Sequence, residues 1–398
     1  MTPLEVAEAR ALTPGCAEVL HLNHAGASLM PQPVLDAVIG HLQREGRTGG
    51  YEAASEAALS LGHTYEAVAS LLGCAPTEVA LTESATRAWD AAVYSLPIAP
   101  SQRVLMSRAE YASNAIALLQ LCQRSGAEIV LVENDEHGQI DLAALAEALA
   151  HHDVALVSLV HVPTQSGLVN PAAAVGQLCQ DAGVTFVLDA CQSVGQLPLD
   201  VTQLGCDVLT GTGRKFLRGP RGTGFLYMRQ ALLEQVEPVM LDAHAAEWIA
   251  PDRFTVRADA RRFENWESNV AGRIGLGVAI DHALGWGVAN IAARTEWLAA
   301  GLRSRLAEIP GVTGHDRGEH LCAITTFSVA DIDPTVIQRR LRAEAINVSV
   351  GTANFARLDL PPRGIDSVVR ASVHYITTED ELDRFAESIR TIVSSPAS

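Results

Sequence analysis

GTGRKFLRGPRGTG, residues 211–224, holds the only lysine of a 398-residue chain; the other 28 of its 29 basic residues are arginines. Either side chain serves as surface charge, but only lysine can lose its proton and attack a carbonyl carbon. A single primary amine kept in a glycine-rich loop after an apolar run therefore reads as a nucleophile. The loop is not a nucleotide cradle of the usual kinds. GxxxxGK[ST] is absent, and GTGRKF lacks the third glycine of a dinucleotide fingerprint.

Outward from that loop, short β-branched runs alternate with longer Ala/Leu-rich segments. EVALT (78–82), RVLMS (103–107), EIVLVE (128–133), VALVSLVHV (154–162), VTFVLD (184–189), CDVLTG (206–211) and GFLYM (224–228) read as strands. Their continuous hydrophobicity suits strands covered on both faces, as in an α/β fold with a mainly parallel, seven-stranded sheet flanked by helices. Between them, DLAALAEALAHH and PAAAVGQLCQDAG read as helices, the second capped by Asn170 and closed by Gly183. After about residue 265 one long helical stretch precedes ITTFSV, a further helix, INVSV and VVRASVHY, the order of a smaller α+β domain. We draw the large domain as 20–265 and the small one as 1–19 with 266–398.

The formal charge of −17 gives no electrostatic grip on phosphate backbones or anionic lipid, so nucleic acid and membrane surfaces are excluded as partners. The longest apolar runs fall short of the roughly 20 residues of a membrane span, and the N-terminus lacks a signal pattern, which predicts a cytoplasmic protein. Seven cysteines, at 16, 74, 122, 179, 191, 206 and 322, form no C-x-x-C pair. No HExxH occurs, and the close histidine pairs lack partners at ligand spacing, so no metal site is expected. Cys191 lies nearest the residues discussed next.

A Schiff-base lysine points to pyridoxal phosphate (PLP), whose ring nitrogen needs an acid and whose phosphate needs backbone donors. Asp189 ends a strand 26 residues before Lys215 and so projects from the carboxyl edge of the sheet, where α/β sheets bind ligands. Its alternative is a cap for the following turn. TESATRAWDAA (82–92) opens a helix after the first strand, offering N–H groups and the Thr86 hydroxyl to a phosphate. Thr212 and Arg214 could close the cradle; turn chemistry and surface charge are their plainer readings.

The run LDACQSVGQLPLDVTQLGCDVLTGTGRKFLRGPRGTGFLYM (188–228) resembles the D-x-x-Q…K-x-x-x-G-P-x-G-x-G signature of class V aminotransferases of fold-type I. That family includes cysteine desulfurases, selenocysteine lyases and isopenicillin N epimerase-like proteins. LHLNHAGASLMPQPVLDAV (20–38), AEYASN (109–114), HVPTQSGLVNP (161–171), FENWESNVAGRIGLG (263–277) and VVRASVHY (368–375) extend the likeness over nearly the whole chain. The resemblance implies PLP on Lys215, Asp189 facing the pyridine nitrogen, and Gln192 donating to the ring hydroxyl oxygen. It implies Tyr111 stacked on the ring where a histidine is usual, and Ala85, Thr86, Thr212 and Arg214 at the phosphate. It also implies Arg370 on the substrate carboxylate and a homodimer. Two departures stand out. NVSVGTANFARL (347–358) carries no cysteine where desulfurases have one on a mobile loop, and ENWES (264–268) replaces E-x-G-T-P. GGYEAASEA (49–57) with AEYASN is similar to the branch of ergothioneine-biosynthesis C–S lyases.

The function expected is therefore a PLP-dependent enzyme acting on an amino acid or cysteine conjugate, first as a C–S β-lyase that yields pyruvate, ammonia and a thiol or other sulfur product. Transamination or epimerisation is second, and cysteine desulfuration or selenocysteine cleavage third. A PLP-binding regulatory domain is the non-enzymatic alternative. Asn23, His24 and Tyr51 are the candidates for the wall that grips the substrate side chain.

Overall fold

The computed structural model describes residues 1–151 and 153–395. Its larger sheet is made of β1 (Val79–Thr82), β2 (Arg103–Ser107), β3 (Glu128–Val132), β4 (Val154–Val160), β5 (Thr185–Asp189), β6 (Val208–Thr212) and β7 (Gly224–Met228), in the order β1-β7-β6-β5-β4-β2-β3. Six strands run one way; β7 runs against both neighbours. The seven strands fall within two residues of the apolar runs read from sequence. Side chains alternate across the pleat. Phe186 and Leu188 of β5 therefore enter one core, with Val68 and Leu72 of the helix Ala58–Leu72, while Val187 enters the other, with Trp89 and Leu118. Each fully buried aliphatic or aromatic side chain of this kind contributes about 1.5–3 kcal/mol.

A four-stranded antiparallel sheet, Val312–Gly314, Ile324–Val329, Ser367–Ser372 and Ser349–Thr352, forms the second body. The helices Val288–Ala307, Pro334–Ala343 and Glu379–Ser394 cover it through Leu302, Ile337 and Phe385. Asp333 and Thr378 cap the last two of these helices, Thr378 in a reciprocal box with Glu381.

Packing divides the chain at other points than the sequence boundaries. The helix Val270–Trp286 carries Leu276, Ile280 and Ala283 into the core under the large sheet, against Ala58–Leu72. Leu20 and Leu22 lie in the core of the small body, where Leu20–His21 pairs in parallel with Ile346–Asn347. The long helical stretch also breaks. Gly287 at φ 79° ends one helix and caps the next, and the two meet at 77°. An apolar pattern that continues through the glycine hid the break. Asn170 does not cap its helix: Pro171 occupies the N-cap position without a side-chain bond, while the Asn170 side chain donates to the Val160 carbonyl (2.8 Å) and accepts from the Ile140 N–H (3.1 Å). Among the described residues no single helix is long and apolar enough to cross a membrane.

Candidate active site

A cavity of about 240 Å³ opens at the carboxyl ends of β2, β4, β5 and β6 and is closed on one side by the start of the helix Ala85–Val93. Lys215 lies within it, three residues beyond β6, at 8% exposure. Burial holds its amine below the ordinary lysine range; Cys191 and Asp189 act the other way, and Arg214 and Arg370 act with burial. The loop is pinned on both sides. Arg218 sits at φ 60°, a conformation costing roughly 1–3 kcal/mol for a non-glycine residue, and its guanidinium compensates by bonding the Leu29 carbonyl, Tyr375 and Thr13. Gly195, at φ 86°, presses on the same loop: a Cβ there would stand 2.6 Å from the Phe216 carbonyl carbon.

Asp189 ends β5 with a buried carboxylate that accepts from Asn114 Nδ2 (2.9 Å) and the Cys191 N–H (2.8 Å). Burial raises its pKa above the usual carboxylate range. The backbone bond is the turn contact weighed from sequence, and the other carboxylate oxygen remains open to a second partner. Behind it Asn114 also donates to Glu110 (3.0 Å), a buried carboxyl that accepts from Ser158 and the Tyr111 N–H as well. Burial pushes Glu110 up to about 7. Cys191 lines the cavity near Lys215; burial raises its thiol, and the neighbouring ammonium acts the other way.

Gln192 donates from Nε2 to the Ala25 carbonyl (3.1 Å) and Thr164 Oγ1 (3.2 Å), leaving Oε1 buried without a partner. As placed, the amide thus offers an acceptor to the cavity, whereas the resemblance implied a donor. Thr164 also accepts twice from Arg370 Nη1, at its carbonyl (2.8 Å) and hydroxyl (2.7 Å). Arg370, 9% exposed, keeps Nε unpartnered and has no carboxylate partner among the described residues. Burial, with Arg214 nearby, pushes this guanidinium down to about 10.

At the other end, Ser84 caps the helix Ala85–Val93 by accepting from the Arg87 N–H, and the first-turn N–H groups of Ala85 and Thr86 are not used within the helix. Gly224 makes this approach possible, since a Cβ there would lie 2.5 Å from the Ser84 carbonyl carbon. Thr212 donates to the Thr223 carbonyl (3.1 Å) and Arg214 to the Gly26 carbonyl; both still line the cavity, as does Tyr111.

Lys215, Asp189, Gln192, Tyr111, Ala85, Thr86, Thr212 and Arg214 thus share one cavity, with Arg370 joined to it through Thr164. The three side-chain-wall candidates do not join them. His24 is buried, bonded to Ser28 Oγ (2.9 Å) and packed on His374 with ring centroids 4.9 Å apart. The turn it belongs to reaches the site by backbone, through the Ala25 and Gly26 carbonyls, and the Asn23 side-chain oxygen is buried without a partner. Tyr51 is 75% exposed and lines a separate open groove with Trp266, His244 and Glu267. Sequence reasoning missed Glu83 and Arg221 at the cavity rim, and Asn114, Thr164 and Glu110. Glu110 and Asn114, four residues apart within AEYASN, carried a usable signal: a polar side chain just ahead of a helix and another in its first turn, both buried.

The model of the family described as Aminotransferase class-V matches residues 20–385. The chain belongs to that family. A probable hercynylcysteine sulfoxide lyase of Mycobacterium tuberculosis is 32% identical over 372 residues, covering 93% of this chain and 89% of that protein. A probable cysteine desulfurase of Methanothermobacter thermautotrophicus is 26% identical over 381 residues, 94% of each. Among solved structures, the apo cysteine desulfurase of Thermococcus onnurineus superposes with a TM-score of 0.91 at 23% identity over 98% of both chains, a likeness of fold. This class V chain is a PLP-dependent enzyme. Its cavity fits the cofactor: a buried amine, a buried carboxylate with a free lone pair, an orphaned Gln192 oxygen and free helix N–H groups lie around one space.

Proposed function

We propose that the chain is a C–S β-lyase that cleaves an S-substituted cysteine into pyruvate, ammonia and a sulfur product. One observation carries the reading: 347–358 holds no thiol, and the cysteine that lines the cavity, Cys191, lies beside Lys215 and not on that loop. Sulfur released from the substrate therefore has no acceptor cysteine on that loop and departs with its own substituent. The 32% identical relative named as a sulfoxide lyase supports the same reading.

Lys215, Asp189 and the cradle of Ala85, Thr86, Thr212 and Arg214 would hold PLP, with Tyr111 beside the ring. When bound, PLP supplies an aldehyde that joins the substrate amine and a ring that withdraws electrons from Cα. Arg370 then presents its unpartnered edge to the α-carboxylate and fixes the orientation of the Cα–H bond. Lys215, its amine made easier to deprotonate by burial, takes the Cα proton as general base. Asp189 holds the proton on the pyridine nitrogen. The Cβ–S bond would break with its electron pair on sulfur, and the ammonium of Lys215, which then carries the Cα proton, would return a proton to it. Overall, water and the S-substituted cysteine give thiol, pyruvate and ammonia.

Tyr51 and Trp266 lie outside this pocket, exposed in one groove with His244, and the hairpin that begins two residues after His244 exposes Trp248 and Phe254. We read that face as the contact between two copies in a homodimer. The second functional reading is a cysteine desulfurase, favoured by the names of several relatives. Product analysis with S-alkylcysteines, their sulfoxides and free cysteine separates the two. Pyruvate equal to thiol from the S-alkylcysteines, and to sulfenic acid from their sulfoxides, supports the lyase; alanine from free cysteine, with no pyruvate, refutes it in favour of desulfuration. Keto acid formed only with an amino acceptor would mark a transaminase.

A further inference from the structure

One buried carboxyl near the cavity lies outside its lining. Glu110 is 3% exposed and receives three donors: Ser158 Oγ from β4, the Tyr111 N–H (2.9 Å) and Asn114 Nδ2 (3.0 Å). The same Asn114 nitrogen gives its other hydrogen to Asp189 (2.9 Å). One amide therefore joins two buried carboxyls, and its orientation is fixed because an oxygen in that place would face both. The charge of Asp189 acts on Glu110, which has no cation partner in an ion pair among the described residues.

We propose that Glu110 and Asn114 are positioning residues that set the charge on Asp189, and through it the proton on the pyridine nitrogen of PLP. The inference rests on the reading that Asp189 faces that nitrogen. Two carboxyl oxygens bonded to one nitrogen stand about 5 Å apart, a distance at which an anionic Glu110 raises the proton affinity at Asp189 by tenfold or more. A charged Glu110 thus strengthens the hold on a protonated ring, and a neutral Glu110 relaxes it. Because burial places Glu110 near 7, the changeover falls at neutral pH. Glu110 also anchors the Tyr111 N–H at the start of the helix Ala112–Ser125, so the aromatic side chain and the acid are held by one group.

The test uses the substrate-free holoenzyme reconstituted with PLP labelled with nitrogen-15 in the ring. The ring nitrogen resonance and the visible absorption are followed from mildly acidic to mildly alkaline pH. The native protein should show a step near neutrality. Glu110→Gln keeps the shape and the acceptor toward Asn114 and Tyr111 but removes the charge, so the step should vanish and coenzyme retention at alkaline pH should weaken by about tenfold. Ser158→Ala withdraws a donor from the charged form and should move the step to higher pH. Asp189→Asn should remove the protonated ring signal altogether. If Asp189→Asn does so while Glu110→Gln titrates and retains coenzyme like the native protein, the relay is refuted and the cofactor site stands. If Asp189→Asn leaves the ring signal unchanged, both fall.

Discussion

Replacing Arg370 with methionine should cost function without costing stability. The guanidinium is buried, bonded only through Nη1 to Thr164, and opposed by no carboxylate among the described residues. Its descent from 12.5 to about 10 corresponds to about 3 kcal/mol by which the substrate-free fold disfavours the charge. Methionine removes that cost and leaves the Thr164 carbonyl unpaired, which costs about 1–3 kcal/mol. The substrate-free variant should thus unfold at the native temperature or up to a few degrees above it. Losing the charged partner of a buried carboxylate costs about 2–5 kcal/mol, so kcat/KM for an S-substituted cysteine should fall by about two to three orders of magnitude. The corresponding S-substituted cysteamine, which lacks the carboxylate, should react equally with both proteins. Calorimetry, steady-state pyruvate assays for the cysteine substrate and thiol assays for the cysteamine supply the numbers. A variant destabilised by several kcal/mol, or one whose kcat/KM drops less than about tenfold, would show that Arg370 is a structural tie.

Lys215→Arg keeps the charge but not the nucleophile, so hydride reduction followed by intact-mass analysis should find no pyridoxyl adduct; an adduct in that variant would place the linkage elsewhere. Gly224→Ala drives a methyl into the backbone of Ser84 and Ala85, a misfit worth about 1–3 kcal/mol, and should weaken PLP retention at least tenfold by dialysis and absorbance. Buried His161 is held near 4, below the free value of 6.5. The unfolded chain therefore binds that proton first as the pH falls, and stability present above about 6.5 is lost toward 4 by about 3 kcal/mol; half-buried His282 is shifted the same way and adds less. Glu110, raised to about 7, works oppositely: the fold holds its proton first, so its stabilisation is present below about 4.5 and is lost as pH rises through 7. Denaturant titration of the apoprotein should show the acid loss, steeper in Glu110→Gln than in the native chain; equal slopes would contradict the assignment.

The strands were legible because residues such as Phe186, Val187 and Leu188 are buried on both faces, which leaves an unbroken apolar run. The cofactor cluster was legible because Asp189, Gln192 and Lys215 lie within one passage, from the end of β5 through the helix Val201–Leu204 and β6 to the loop beyond it. Long-range pairings left no such trace. Asn114 meets Asp189 across 75 residues, and Arg370 meets Thr164 across 206, through contacts that only the assembled sheets create. Tyr51 shows the converse: a residue in a suggestive motif lies on a helix whose exposed side turns away from Lys215. Gly287 was hidden because apolar residues on both sides keep the helical period through the bend.

The strand order has a consequence for biosynthesis. β1 finds its neighbour only when β7 emerges, with Val79 paired to Tyr227, so the Ser84 end of the cradle stays unsupported until more than half of the polypeptide has left the ribosome. Arg370 arrives later still, on the last strand of all. A nascent chain stalled before that point can already present the amine and the acid, yet it lacks the group that recognises an amino acid, so capture of the coenzyme can precede competence toward substrate.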